Sequence, residues 1–184
     1  SVTNNIISGS LNAGDSSTVD HNTVSGGITA GSSVIVTWNN VEGASGVGLT
    51  AGSNVTAQYN LPVATPTPTP GIKIGVGLTA GSNVTAQYNR LIGNTTGMIA
   101  STGLIEHNLI ANNTGVGLQV GAAIVRYNTF TGNAGNTIVV QGGTSVTIGY
   151  NNLEGNTGTY DLYLNIPGGV FFVPAEHNWW GTTD

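Results

Sequence analysis

One short pattern recurs nine times along the 184 residues: an aliphatic residue or Ala, two further residues, an Asn, one residue, and usually another apolar side chain. It reads VTNNII, VDHNTV, VTWNNV, AQYNLP, AQYNRL, IEHNLI, VRYNTF, IGYNNL and AEHNWW. The asparagines are Asn5, Asn22, Asn39, Asn60, Asn89, Asn108, Asn128, Asn151 and Asn178, spaced by 17, 17, 21, 29, 19, 20, 23 and 27 residues. A fixed motif at a varying interval marks a constant rung joined by loops of different length. A unit this small cannot bury its own apolar side chains, so the chain must stack its repeats against one another.

Each repeat divides into three short segments of period two, the signature of strands. Before the Asn, the residues three and five positions earlier are small or aliphatic: Val34 and Val36, Val55 and Ala57, Val84 and Ala86, Ala123 and Val125, Val146 and Ile148. A second apolar segment begins two residues after the Asn and closes at Gly, as in VSG, VEG, LIG, FTG and LEG. A third follows as GVGLTAG (twice), GMIAST, GVGLQVG and NTIVVQG. Three strands with Gly and Asn turns make one triangular coil, and coils stacked about 4.8 Å apart pair each strand with its equivalents above and below. The pattern predicts an all-β fold, a right-handed parallel β-helix of about nine coils and roughly 40 Å length. Asn suits the tight corner, since its short polar side chain tolerates left-handed backbone, and stacked amides would form a ladder along the axis.

Composition narrows the chemistry. Charged residues make up 6% of the chain, and the only strong bases are Lys73, Arg90 and Arg126 against a net charge of −5. Nucleic acid is therefore not an expected partner. No apolar run approaches the roughly 20 residues of a membrane span, and there is no cysteine for disulfides, thiolate metal sites or a thiol nucleophile. Residues 1–184 are expected to form a single β-helix domain. The chain starts inside its own pattern and reads as a fragment without its signal peptide. The polar, Thr-rich, nearly Lys-free surface points to an extracellular or cell-surface protein.

Taken together, the Φ-x-x-N-x-Φ rungs and G-Φ-x-L strands resemble the right-handed parallel β-helix repeat proteins, a superfamily that includes pectate lyase-like enzymes. The closing HNWWGT, with Asn178, Trp179 and Trp180, resembles the ending of many secreted and surface members. The resemblance implies the fold. It leaves function open among lyases, hydrolases, adhesins and non-catalytic stalks.

Several segments interrupt the regularity. The 15 residues 46–60 and 75–89 are identical, which implies a very recent duplication or deliberate construction. Between them lies a Pro/Thr-rich stretch, 61–71, expected to protrude as one loop because Pro62, Pro66, Pro68 and Pro70 lack the N–H of a central strand. Thr65, Thr67 and Thr69 make it a candidate for display or glycosylation. The residue before each ladder Asn is usually a ring, in His21, Trp38, Tyr59, Tyr88, His107, Tyr127, Tyr150 and His177. Strict alternation predicts these rings inside, stacked in the core, rather than as a sugar-binding stripe. The three histidines are several coils apart and cannot share a metal. Tyr160, Tyr163, Phe171, Phe172, Trp179 and Trp180 crowd the last two coils. They are read as a cap over the open end of the stack, with Tyr160, Tyr163 and Trp179 as candidate carbohydrate contacts.

No catalytic constellation stands out. Asp15, Asp20, Glu42, Glu106, Glu154, Asp161, Glu176 and Asp184 are scattered, with Asp15/Asp20 and Glu154/Asp161 the nearest approaches to the carboxylate pair that glycoside hydrolysis needs. Glu106 and Arg126 should face each other on adjacent rungs as an exposed ion pair, worth a few tenths of a kcal/mol. No cofactor and no metal is expected. The leading expectation is a non-catalytic extracellular rod serving as stalk, spacer or scaffold, and the alternative a carbohydrate-binding module or polysaccharide-degrading enzyme fragment. Expected partners are carbohydrate, another surface protein, or a second rod end to end. A flat Thr-x-Thr ice-binding array is spoiled by Ile35, Gln58, Leu104, Arg126 and Pro174.

Overall fold

The three apolar segments of each repeat become the three walls of a coil. A computed structural model describes residues 1–42, 46–63, 75–142, 145–167 and 172–181. All regular elements among them are strands, and every strand pairing is parallel, from Val2↔Val19 at one end to Val139↔Tyr163 near the other. The first wall runs through Thr18–Asp20, Ile35–Thr37, Thr56–Gln58 and Val84–Gln87 into the later halves of Thr96–Glu106 and Leu118–Arg126. The second stacks seven strands, from Ile6–Ile7 to Thr129–Thr131. The third contains Ile28–Ala30, Val47–Ala51 and Val76–Ala80 and continues to Leu162–Asn165.

The third and first walls form one sheet because Thr96–Glu106 and Leu118–Arg126 bend round the corner without a break. Gly103 makes this bend at φ 142°, with its Cα so close to the coil beneath that an added Cβ would stand 2.1 Å from the Val84 carbonyl oxygen. A side chain there would meet rigid backbone, so only glycine fits.

The period-two reading of the walls holds. Val34, Val36, Val55, Ala57, Val84, Ala86, Ala123, Val125, Val146 and Ile148 are all buried. Equivalent positions line up as axial rows, such as Leu91, Ile110 and Phe130 on the second wall and Leu49, Leu78, Met98 and Leu118 on the third. Full burial of an aliphatic side chain of this size contributes about 1.5–3 kcal/mol. The hydrophobic core is therefore a column continuous along the axis, and each coil supplies a slice of it. The duplicated segments stack in register on themselves, Thr56↔Thr85, Ala57↔Ala86 and Gln58↔Gln87, with Leu49↔Leu78 on the third wall.

Several expectations need correction. The seven-stranded second wall gives about seven regular turns rather than nine, since the last two corners are joined on that wall only by the bridges Thr129↔Asn152 and Asn152↔Trp179. The first three residues of the expected Pro/Thr loop are not loop: Leu61–Val63 is a strand of the second wall, with Pro62 opposite Val41. Leu61 donates to the Asn39 carbonyl on one side, so by alternation the missing N–H of Pro62 falls on the other side and removes a single bond. The rest of the stretch, with Thr65, Thr67 and Thr69, lies outside the described residues, as do Lys73, Phe171, Thr182 and Asp184.

The terminal aromatics do not form the expected lid. Phe172 is 83% and Trp179 54% exposed, while Leu162, Ile166, Val173 and Ala175 are the side chains that pack onto the end of the core.

Candidate functional site

The left-handed residue of each corner is not the ladder Asn but the residue before it. His21, Trp38, Tyr59, Tyr88, His107, Tyr127, Tyr150 and His177 all have φ between 52° and 58°, and Asn4 takes the same place in the first coil at 57°. A left-handed residue breaks strand alternation, so the ring swings out to solvent and the following Asn swings into the core. This is why the row expected inside lies on the surface, with Trp38 52% and Tyr59 38% exposed.

Left-handed backbone costs a non-glycine residue about 1–2 kcal/mol. Two interactions offset it. The eight rings stack in an unbroken column, seven successive contacts with centroids 4.2 to 5.8 Å apart, each worth about 0.5–1.5 kcal/mol. The asparagine turned inward gains a set of buried hydrogen bonds.

Asn108 illustrates the set. Its Nδ2 donates to Oδ1 of Asn128 at 2.9 Å, to the Ala86 carbonyl in the coil beneath at 2.9 Å and to the Glu106 carbonyl of its own turn at 3.0 Å. Its backbone N–H reaches the same Asn128 oxygen, and its own Oδ1 accepts from Asn89. Such amide-to-amide links run without interruption from Asn5 through Asn22, Asn39, Asn60, Asn89, Asn108, Asn128 and Asn151 to Asn178.

A second ladder stands at the next corner, where sequence reasoning missed it. Asn94, Asn113, Asn133 and Asn156 pass hydrogen bonds in the same direction, with Asn113 to Asn133 and Asn133 to Asn156 at 2.8 Å. The signal was available: each lies five residues after a ladder Asn, in LIGN, IANN, FTGN and LEGN, whereas the same offset gives Ser10 and Gly27 in the first two coils. Gly97 packs on this ladder, and an added Cβ would lie 2.5 Å from the Gly117 carbonyl oxygen and 2.6 Å from Ile110.

A polar column flanks the rings. Thr37 Oγ1 donates to Asp20 at 2.6 Å, and His21 Nδ1 lies 2.7 Å from the same carboxylate. Hydrogen bonds from Thr37 and His21 hold Asp20 below the usual aspartate range. Further along, Gln58 donates to Gln87 and Gln87 to Glu106, which also accepts from Arg126 Nε at 2.6 Å. Glu106 is only 7% exposed, so the pair is half-buried rather than exposed as the sequence suggested. Burial opposes ionisation of Glu106, yet the bonds from Arg126 and Gln87 outweigh it and leave the carboxyl below its ordinary value.

Four further acids are engaged one by one. Asp15 accepts from the Ser32 amide at 2.6 Å, Glu42 from Asn40 at 2.7 Å, Glu154 from the Trp179 indole at 3.3 Å and Asp161 from Thr137 at 2.8 Å. Asp15 and Asp20 thus serve different partners, and so do Glu154 and Asp161. Among the described residues no three His, Cys, Asp or Glu side chains are grouped to hold a metal, and no helix is long and apolar enough to cross a membrane. Tyr160 and Tyr163 stack at 5.5 Å on the third-wall side, while Trp179 follows the ladder corner at the second wall, so the structure groups two of these three candidate contacts. A groove of about 360 Å³ runs beside the ring column, lined by Trp38, Tyr59, Tyr88, Asn40, Leu61 and Arg90.

Parallel coils, an axial core and stacked corner amides make the fold a right-handed β-helix. The family model described as a right handed beta helix region matches residues 69–157, the part of the chain that holds the second ladder. No curated protein and no solved structure matches the chain.

Proposed function

We propose that the chain is a non-catalytic β-helical rod of the cell exterior, a stalk, spacer or scaffold. One observation carries this reading. The polar side chains that distinguish the sequence are used to tie one coil to the next, as in the eight consecutive amide links from Asn5 to Asn178. The acids act in the same way, Asp15, Asp20, Glu106 and Asp161 each accepting from a residue one coil away. Groups bound in this manner hold a structure rather than wait for a substrate. The test is incubation with polygalacturonate and other acidic polysaccharides, following new reducing ends and unsaturated product. No release is expected, and release that disappears in Arg126→Ala would overturn the proposal.

A second reading, a carbohydrate-binding module related to the pectate lyase-like proteins, draws on the groove beside Trp38, Tyr59 and Tyr88. Sugars stack on ring faces, and in the column those faces are already covered by neighbouring rings, leaving edges, hydroxyls and the Arg90 guanidinium. Glycan-array binding lost in Trp38→Ala or Arg90→Ala would favour it; binding lost only in Tyr163→Ala would move the site to the end of the rod.

A further inference from the structure

The chain has six tyrosines, and every one lies against another tyrosine. Tyr59 and Tyr88 have centroids 5.0 Å apart and planes within 6°; Tyr127 and Tyr150 are 5.3 Å apart at 27°; Tyr160 and Tyr163 are 5.5 Å apart at 18°. The first two pairs bridge neighbouring coils, within a column that reads His, Trp, Tyr, Tyr, His, Tyr, Tyr, His. Stacking alone would accept phenylalanine, yet the column contains none. All four of its tyrosines are exposed residues, at 38 to 53%.

We infer that Tyr59–Tyr88 and Tyr127–Tyr150 are sites of oxidative coupling, at which a peroxide-driven one-electron oxidant joins adjacent coils through dityrosine. Each phenol gives up one electron to the oxidant and its hydroxyl proton to water. The two phenoxyl radicals then form a bond between ring carbons ortho to the oxygens, and the two hydrogens on those carbons return through solvent to the oxygens as the rings regain aromaticity. The net loss is two electrons and two protons, which with hydrogen peroxide give two waters. Strand pairing holds the rings together before reaction, through Gln58↔Gln87 beside the first pair, so coupling within one rod is favoured over encounter between rods. The Tyr59–Tyr88 bond would also close the chain from 59 to 88 into a covalent ring.

The experiment treats the purified protein, at low micromolar concentration, with a haem peroxidase and hydrogen peroxide, and reads dityrosine emission, gel migration and cross-linked peptide masses. The expected product migrates as a single chain, is lighter by two hydrogens for each bridge, and maps to Tyr59–Tyr88 and Tyr127–Tyr150. The double variant Tyr88→Phe, Tyr150→Phe keeps the ring stacks and should lose both inter-coil bridges. Treatment in denaturant should lose them too. Dityrosine found only in covalent dimers, only between Tyr160 and Tyr163, or not at all would overturn the inference. Because the bridges are mapped on the unaltered chain, the outcome does not depend on a variant folding.

Discussion

A single amide at the corner does more than any side chain in the walls. Asn108 is buried and takes part in at least five hydrogen bonds across three coils. Asn108→Ala leaves several of these partners buried without an acceptor or donor, at about 1–3 kcal/mol each. The variant should lose more than about 3 kcal/mol in urea unfolding; Asn5→Ala, on the exposed first corner, should lose under about 1 kcal/mol. Glu106 gives a residue-scale prediction in pH. Its depressed carboxyl contributes stability that is complete above the unfolded value near 4.3 and is lost as pH falls through the folded value. Glu106→Gln should flatten the acid side of a melting-temperature curve, and Arg126→Met, which removes the largest interaction favouring the ionised carboxylate, should flatten it as well by bringing the folded value back towards the unfolded one. The sequence revealed which residues make the corner but not which way they face. Alternation was applied through His21 to Asn22, and a positive φ at one residue inverts it. That conformation follows from the ring stacking and inward amide of the finished stack, neither of which a six-residue motif contains.

At the scale of elements, the walls were legible because inward positions of period two leave the same trace in every repeat, as Val36, Ala57, Ala86, Ile105 and Val125 do. The second ladder was hidden by its partial occurrence, in four coils only. Its presence divides the rod. Coils carrying Asn94, Asn113, Asn133 and Asn156 are pinned at two corners and those of residues 1–42 at one. Hydrogen exchange should therefore find slower backbone amides on Leu91–Ile110 and Phe130 than on Val19–Val24, by more than tenfold, or about 1.4 kcal/mol of local opening. Equal protection would mean that the second row of amides adds nothing. Gly97→Ala tests the same corner from outside, since its new methyl must displace the Gly117 carbonyl or Ile110; a loss of about 1–3 kcal/mol is expected.

For the molecule as a whole, contacts made almost entirely between neighbouring coils imply that stability is close to a sum over coils and their interfaces. The duplicated segment makes this testable. Deleting residues 61–89 joins Asn60 to Arg90 and lets the remaining copy present the same residues to the coil above, Ala57 replacing Ala86 opposite Ile105. The shortened chain should fold, keep its β-sheet circular dichroism and unfold in one transition at modestly lower denaturant. Failure to fold would show that the copies are not interchangeable. The sequence announced this equivalence through its identical 15-residue segments, whereas the number of regular turns is not legible in it, because the last two corners keep the motif after the wall behind it has thinned to bridges. The outward ring positions carry a last consequence. Their side chains stand clear of the core at successive steps of about 4.8 Å, so their chemistry can be rewritten without repacking the interior, and the edge of the rod serves as a ruler on which eight functional groups can be set in a chosen order.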